Sequence, residues 1–231
     1  MYQATLLSLT NIILYGSFSF VLTQRIKLKG ETEERRALEI AAAAILKGNI
    51  ISLPTETFYA LSTDPFNLDS VNRIFQIKKR PDWKALLLLI ESVAQAQLIS
   101  ENIPSIFFDL AENFWPGPLT LILPAAKNVP LKVTGGTGTV GLRVPAQTFT
   151  CQVIRKIHLP IIGTSANLSG YPPCSTANDV LEQLGGKIEL LVDSGSSKTS
   201  APSTVIDLTS PSIRLLREGA VPKELLQKYL S

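Results

Sequence analysis

Residues 52–65 read SLPTETFYALSTDP. The apolar run Ile50-Ile51-Ser52-Leu53 reads as a strand, and Pro54 stops it. Thr55, Glu56 and Thr57 follow at once, and then the aromatic pair Phe58-Tyr59. A surface turn needs no such cluster, so the end of this strand is a candidate site. Upstream, residues 32–49, TEERRALEIAAAAILKGN, carry apolar residues at helical spacing. Thr32 is the expected N-cap, acids fill the first turn, and Gly48 closes the helix. Downstream, residues 68–81, LDSVNRIFQIKKRP, form a second expected helix. Asp69 is its expected cap, Val71, Ile74, Phe75 and Ile77 face inward, and Pro81 ends it. A strand between two helices sets the class as α/β.

The rest of the chain repeats that alternation. Strands are expected in ALLLLI (85–90), LTLIL (119–123), VGLRV (140–144), PIIGTS (160–165) and IELLVD (188–193). Helices are expected over 105–114, 148–157, 176–186 and 222–229. STVIDL and SIRLLR read as a strand pair joined through TSPS. The expected architecture is a mixed sheet of about seven strands flanked by helices. The Ser-rich stretch 193–203 is the expected mobile loop.

Composition narrows the function. The chain has 231 residues, 45% of them hydrophobic and 18% charged, enough apolar material for a sizeable core. A net charge of +3 weakly favours anionic ligands and falls short of a dedicated nucleic-acid binder. Two cysteines, Cys151 and Cys174, make no disulfide framework, so a reducing cytoplasm is expected. His158, the only histidine, reads as structural and rules out a His-rich metal site. Residues 4–22 are mostly apolar and are followed by Arg25, Lys27 and Lys29. They admit three readings: an added leader, a strand or interfacial segment, or a membrane anchor. The division expected is a leader over 1–28 and one catalytic domain over 29–231.

Ligands of open α/β sheets bind beyond the carboxyl ends of the strands. Three strand ends here run into polar groups: Thr55-Glu56-Thr57, Ser165 to Gly170, and Asp193-Ser194-Gly195. Together they imply a shared, concave polar mouth. The stretch Lys78-Lys79-Arg80-Pro81 fits two readings. It is either a helix terminus whose cations complement the dipole or an anion clamp. As a helix-end cation, Lys78 is expected to add only tenths of a kcal/mol to stability. Gly136, Gly138 and Gly141 match G-x-G-x-x-G formally, but a strand follows them, which excludes a dinucleotide fingerprint. Arg143, inside an apolar strand, needs either a structural acid or an anionic ligand.

Seven blocks, LPTETFYALSTDP, KKRP, FWPGPLTLIL, VGLRVP, GTSANLSGYPPCSTANDV, PSTVIDL and LLREG, resemble in order the YrdC family of threonylcarbamoyl-adenylate synthases. The resemblance covers about residues 33–221 and looks like the short single-domain form. It implies a YrdC-like twisted open sheet and an enzyme that joins L-threonine, bicarbonate and ATP into threonylcarbamoyl-AMP, releasing pyrophosphate. A downstream threonylcarbamoyl-transferase complex then modifies tRNA. The resemblance implies Mg²⁺ held mainly through ATP phosphates, admits weak RNA or tRNA binding, and gives no stable membrane partner. Thr55, Thr57, Arg143, Ser165 and Ser203 would bind threonine. Lys78, Arg80, Thr139, Asn167, Ser175 and Arg217 would bind ATP, with Lys78, Arg80 and Ser165 catalytic. Two other readings compete: an RNA-binding module of the same fold, and a carbamoyl-adenylate domain of larger hydrogenase-maturation proteins. The chain departs from the family at Ala60 and Ser62, where glycine is common, and at Leu89, where many members have histidine. If the backbone needs φ > 0 at Ala60, alanine costs about 1 kcal/mol.

Overall fold

The computed structural model describes residues 21–197 and 201–230. In chain order the strands are β1 (Gln24–Lys27), β2 (Ile51–Leu53), β3 (Ala60–Ser62), β4 (Leu87–Leu89), β5 (Leu119–Pro124), β6 (Thr139–Arg143), β7 (Ile161–Ile162), β8 (Thr164–Ser165), β9 (Leu190–Asp193), β10 (Thr204–Asp207) and β11 (Arg214–Arg217). The helices are α1 (Glu31–Leu46), α2 (Leu68–Lys78), α3 (Val93–Ile99), α4 (Ile106–Phe114), α5 (Leu131–Thr134), α6 (Thr148–Ile157), α7 (Ala177–Leu184) and α8 (Lys223–Leu226). The α/β class and the mixed pairing hold. The strands divide between two sheets rather than one, ordered β1-β9-β2-β3-β8 and β11-β10-β5-β6-β4-β7. Each mixes parallel pairs, such as β2 with β9 and β4 with β6, with antiparallel ones, such as β2 with β3 and β5 with β6.

Strand alternation explains why the central runs are apolar throughout. Ile50 faces one hydrophobic core, and Ile51 and Leu53 face the other. Leu88 and Leu89 divide in the same way. The first core gathers α2, α4 and α7 through Val71, Ile74, Phe107, Leu110, Val180 and Leu184. The second packs alanine-rich α1 on α6, with Ala37, Ala41 and Ile45 against Phe149, Val153 and Ile154.

Two expected caps shift. Gly30, with φ 88°, precedes α1 in place of Thr32. Asn67 caps α2 by accepting from Ser70 N at 3.1 Å, and Asp69 lies inside the first turn. A helix can use only the side chain immediately outside it, so a boundary moved by two residues changes the cap. At α7, Thr176 and Asp179 form a capping box.

The two sheets meet at residues 161–165. What reads as one strand in PIIGTS is two: β7 pairs with β4, and β8 pairs with β3. Gly163 is the bend, and its amide donates to Leu87 O at 2.8 Å. A Cβ there would lie 2.4 Å from Leu89 Cγ. Gly163→Ala is therefore expected to destabilise the fold by about 1–3 kcal/mol through overpacking. Chemical denaturation would measure this, and an unchanged midpoint would show that Leu89 yields freely.

β1 was not expected as a strand; residues 24–27 fall on the leader side of the 28/29 boundary. They pair in parallel with Leu190 to Asp193 along their whole length. Arg25 bonds Asp193 at 2.7 Å. Deleting residues up to Leu28 removes this paired strand and leaves the buried Asp193 without Arg25, which should cost roughly 1–3 kcal/mol. The comparison is thermal melting against a chain beginning at Val21; equal melting would mean that β1 adds nothing. Most of the apolar 4–22 stretch, and Lys198–Ser200 of the Ser-rich stretch, lie outside the described residues. Among the described residues no helix is long and apolar enough to cross a membrane.

Candidate functional site

One face of the six-stranded sheet builds the site. Alternate residues of its strands, Leu87 and Leu89, Thr120 and Ile122, Gly141 and Arg143, form the floor of a cavity of about 430 Å³. The residues between them, Leu88, Leu121 and Leu142, go to the first core. Thr55 and Thr57 from the loop after β2, Ser165 from β8, and the segment 80–85 close over this floor. Gly141 has no side chain, and its missing Cβ is part of the open volume; a Cβ there would lie 3.4 Å from Thr120 Cγ2.

Of the residues expected in the site, Thr55, Thr57, Arg80, Arg143, Ser165, Ser203 and Arg217 line the cavity. Thr139 shares a face of β6 with Gly141 and Arg143 but lies outside the lining, bonded to Thr137 Oγ1 at 2.9 Å. Lys78, Asn167 and Ser175 also lie outside it. Thr120 is a lining residue that sequence reading passed over; its place at an alternate position of LTLIL was the available signal.

The loop after β2 owes its shape to Thr55. The Thr55 hydroxyl accepts from the amides of Thr57 and Phe58, both at 3.2 Å, and donates to Phe58 O at 2.6 Å. Thr57 Oγ1 in turn accepts from Arg143 Nη2 at 3.3 Å. Arg143 is only 4% exposed, and its Nη2 also lies 3.1 Å from Glu56 Oε1. Burial lowers the pKa of Arg143, and Glu56 counters this. Among the described residues, Arg143 Nε and Glu56 Oε2 have no hydrogen-bond partner.

Two more guanidinium groups are held by one edge only. Arg217 donates from Nε to Ser203 O at 2.9 Å and from Nη2 to Ser203 Oγ at 3.0 Å; Ser203 Oγ is also 2.9 Å from Thr120 Oγ1. Arg80 donates to Lys84 O at 3.1 Å and to Ala85 O at 2.6 Å. Burial and the nearby Arg143 cation lower the pKa of Arg217, and burial lowers that of Arg80. Backbone and hydroxyl oxygens thus orient each fork and leave charge to spare. No carboxylate lines the cavity among the described residues. Such a basin attracts anions with planar, oxygen-rich groups.

Lys78 is not the exposed helix-end cation that its position suggests. It is 2% exposed. Its Nζ donates to Ser165 O, to Asn167 O at 2.7 Å and to Asn167 Oδ1 at 3.3 Å. Lys78 thereby holds the turn that brings Ser165 to the cavity. Asn167 completes the turn: its Oδ1 accepts from Ser165 Oγ at 2.5 Å, and its Nδ2 donates to Tyr171 O at 2.6 Å. Burial, then Arg80, push the Lys78 pKa down to about 7. Ser175 bonds Asp179 beside the capping box of α7. His158 is an exposed, left-handed residue ending α6, with φ 54°. Ala60 and Ser62 lie in a regular antiparallel strand and are not among the positive-φ residues, so alanine carries no backbone penalty there.

Comparison with known proteins places this geometry. The Sua5/YciO/YrdC family model, described as "Telomere recombination", matches residues 43–219. The chain belongs to this family. It is 39% identical over 209 residues to the threonylcarbamoyl-AMP synthase of Pyrococcus abyssi, covering 90% of this chain and 61% of that protein. It is 34% identical to the threonylcarbamoyl-AMP synthase of Vibrio cholerae, covering 79% of this chain and 97% of that one. The chain thus spans less than two thirds of the archaeal relative and nearly all of the bacterial one. A solved structure of Pyrococcus abyssi Sua5 complexed with L-threonine superposes with a TM-score of 0.85 at 38% identity, over 91% of this chain and 61% of that chain. As a Sua5/YciO/YrdC member, the chain carries β1 on the N-terminal side of the matched residues.

Proposed function

We propose that this chain makes threonylcarbamoyl-AMP from L-threonine, bicarbonate and ATP, for threonylcarbamoyladenosine modification of tRNA. The observation that carries the reading is the cavity itself. Three guanidinium groups, each held by one edge, surround a floor without a carboxylate, in a family whose members include proteins named for this synthesis. The threonine carboxylate takes the free part of Arg143, with Thr57, Ser165 and Ser203 as neutral partners. Arg80 and Arg217 take the phosphates and the nucleotide. Lys78 and Asn167 serve ATP by holding the Ser165 turn, and Thr139 and Ser175 border the nucleotide from outside the lining.

The chemistry suits residues that orient and neutralise. The neutral amine of threonine attacks the bicarbonate carbon, water leaves, and a carbamate forms. A carbamate oxygen then attacks the α-phosphorus of ATP, and pyrophosphate departs with the bonding electrons. Both steps build negative charge between bound anions, which fixed guanidinium groups stabilise in a partly desolvated site. No protein carboxylate lines the cavity, and no cluster of three His, Cys, Asp or Glu exists among the described residues. The residues therefore do not fit a resident Mg²⁺; the ion enters as part of the MgATP substrate, on its phosphate oxygens. The product is a labile mixed anhydride and calls for a downstream threonylcarbamoyl transferase. Two buried, unpaired thiols suit a cytoplasmic protein. The described strands and helices make one catalytic domain that includes β1.

Pyrophosphate release provides the test. It should require threonine, bicarbonate and MgATP together, with serine a poorer substrate. Release that is indifferent to threonine would overturn the reading.

A further inference from the structure

Tyr59, itself a lining residue, joins two segments of the cavity wall to the turn at 194–195. Its backbone amide donates to Cys174 O at 3.0 Å, and its carbonyl accepts from Ala166 N at 2.8 Å. Its hydroxyl donates to Gly195 O at 2.7 Å and accepts from Ser194 N at 3.1 Å. Burial raises the pKa of this hydroxyl, so it stays protonated and remains a donor. The same turn is held from the far side by Asp193, which accepts from Gly195 N at 2.9 Å. Asp193 is held by Arg25, whose Nε and Nη2 both donate to Asp193 Oδ2, at 3.0 and 2.7 Å. Arg25 Nη1 donates to Asn178 Oδ1 at 2.9 Å, tying β1 to α7 as well. Beyond the turn, Ser197 N donates to Ser175 O at 2.8 Å. The segment 173–175 is thus gripped twice, by Tyr59 N at Cys174 and by Ser197 N at Ser175. Pro173 of that segment lines the cavity.

We propose that β1 is a positioning element of the site. Through Arg25 and Asp193 it holds the turn that Tyr59 anchors, and so fixes the segment 173–175 at the cavity edge. Arg25 does not line the cavity, and it precedes the residues matched by the family model. Its fork uses all three nitrogens on two acceptors, which a surface cation needs for orientation rather than solubility. The proposal rests on the synthase reading for what the segment does, namely border the nucleotide. The geometry of the relay is independent of that reading.

The test compares Arg25→Ala, Tyr59→Phe and the double variant in the full chain. Tyr59→Phe removes one oxygen and keeps the ring, so the core stays filled. Each single variant should raise the KM for ATP about tenfold, within the usual range of coupling between sites, and leave kcat within about twofold. The double variant should be no worse than the singles, because both break one chain of bonds. Arg25→Lys, which keeps the charge but loses the fork, should fall between wild type and Arg25→Ala. Hydrogen exchange at the amides of Ser194, Gly195 and Ser197 should accelerate in both single variants, with or without substrates. A lowered melting temperature with unchanged exchange and unchanged KM would overturn the relay. If the wild type makes no product, the synthase reading fails and the exchange result alone decides: lost protection supports the relay, and retained protection overturns it.

Discussion

Arg143→Ala is expected to weaken threonine binding by roughly thirtyfold to several-thousandfold. A charge-assisted contact to a carboxylate in a buried site is worth roughly 2–5 kcal/mol when one partner is removed. The same substitution strands Glu56, whose carboxylate has only the Arg143 cation beside it among the described residues. An uncompensated buried charge costs about 3–5 kcal/mol, or a melting temperature lower by roughly 6–20 °C in a chain of this size. The two losses separate in the double variant Arg143→Ala/Glu56→Gln. Removing the stranded charge should recover most of the stability and none of the threonine affinity. Calorimetric titration with threonine and with ATP, beside thermal melts, measures both. Equal weakening of the two ligands, or recovery of threonine binding in the double variant, would reduce Arg143 to a structural ion-pair partner.

Lys78→Met carries the second large effect. Methionine fills the volume but leaves Asn167 O without its donor; Ser165 O keeps Asn167 N, and Asn167 Oδ1 keeps Ser165 Oγ. A buried acceptor left unmade costs about 1–3 kcal/mol, partly offset here by removing a desolvated cation, so a net loss of about 1–2 kcal/mol is expected. The sign of the pH dependence follows from the lysine pKa, about 7 in the folded chain against 10.5 ordinarily. Between these values the unfolded chain binds the proton and the folded chain does not. Stability contributed by this group therefore rises with pH from about 7 towards 10.5 and is flat below 7. The gap in melting temperature between wild type and Lys78→Met should widen from pH 7 to pH 9. Parallel curves would show that the carbonyl cage keeps Lys78 charged throughout. Weaker ATP binding without loss of stability would return Lys78 to the phosphates.

Much of this was legible before folding. The strand into Pro54 and its polar end, the helix that is α7 and the C-terminal strand pair follow from local rules that read one segment at a time. The misses have one physical character: they depend on what a segment meets. Ala60–Ser62 becomes a strand because β2 and β8 flank it, and its three residues carry no periodic signal of their own. Gln24–Lys27, polar and basic, becomes a strand because β9 offers an edge and Asp193 a partner. Gly163 divides one apolar run between two sheets because Leu89 fills the space a side chain would need. In the site, residue type marked the cations as candidates and left their assignment open. Arg80, Arg143 and Arg217 reach the cavity because Cα positions on alternate strand residues and a short loop put them there. Lys78 has the same charge and sits in the same motif as Arg80. It turns inward because the last turn of α2 packs against the Ser165 turn, a contact between residues nearly ninety positions apart that KKRP does not encode.

The central claim is that one cavity joins three substrates into a single adenylate. Its most direct measurement is the fate of the bicarbonate carbon. The purified chain is incubated with MgATP, L-threonine and carbon-labelled bicarbonate, and the products are resolved by mass. The account expects one species that contains threonine, AMP and the labelled carbon together, accompanied by pyrophosphate. An adenylate of threonine without the labelled carbon, or a labelled adenylate that forms without threonine, would contradict it.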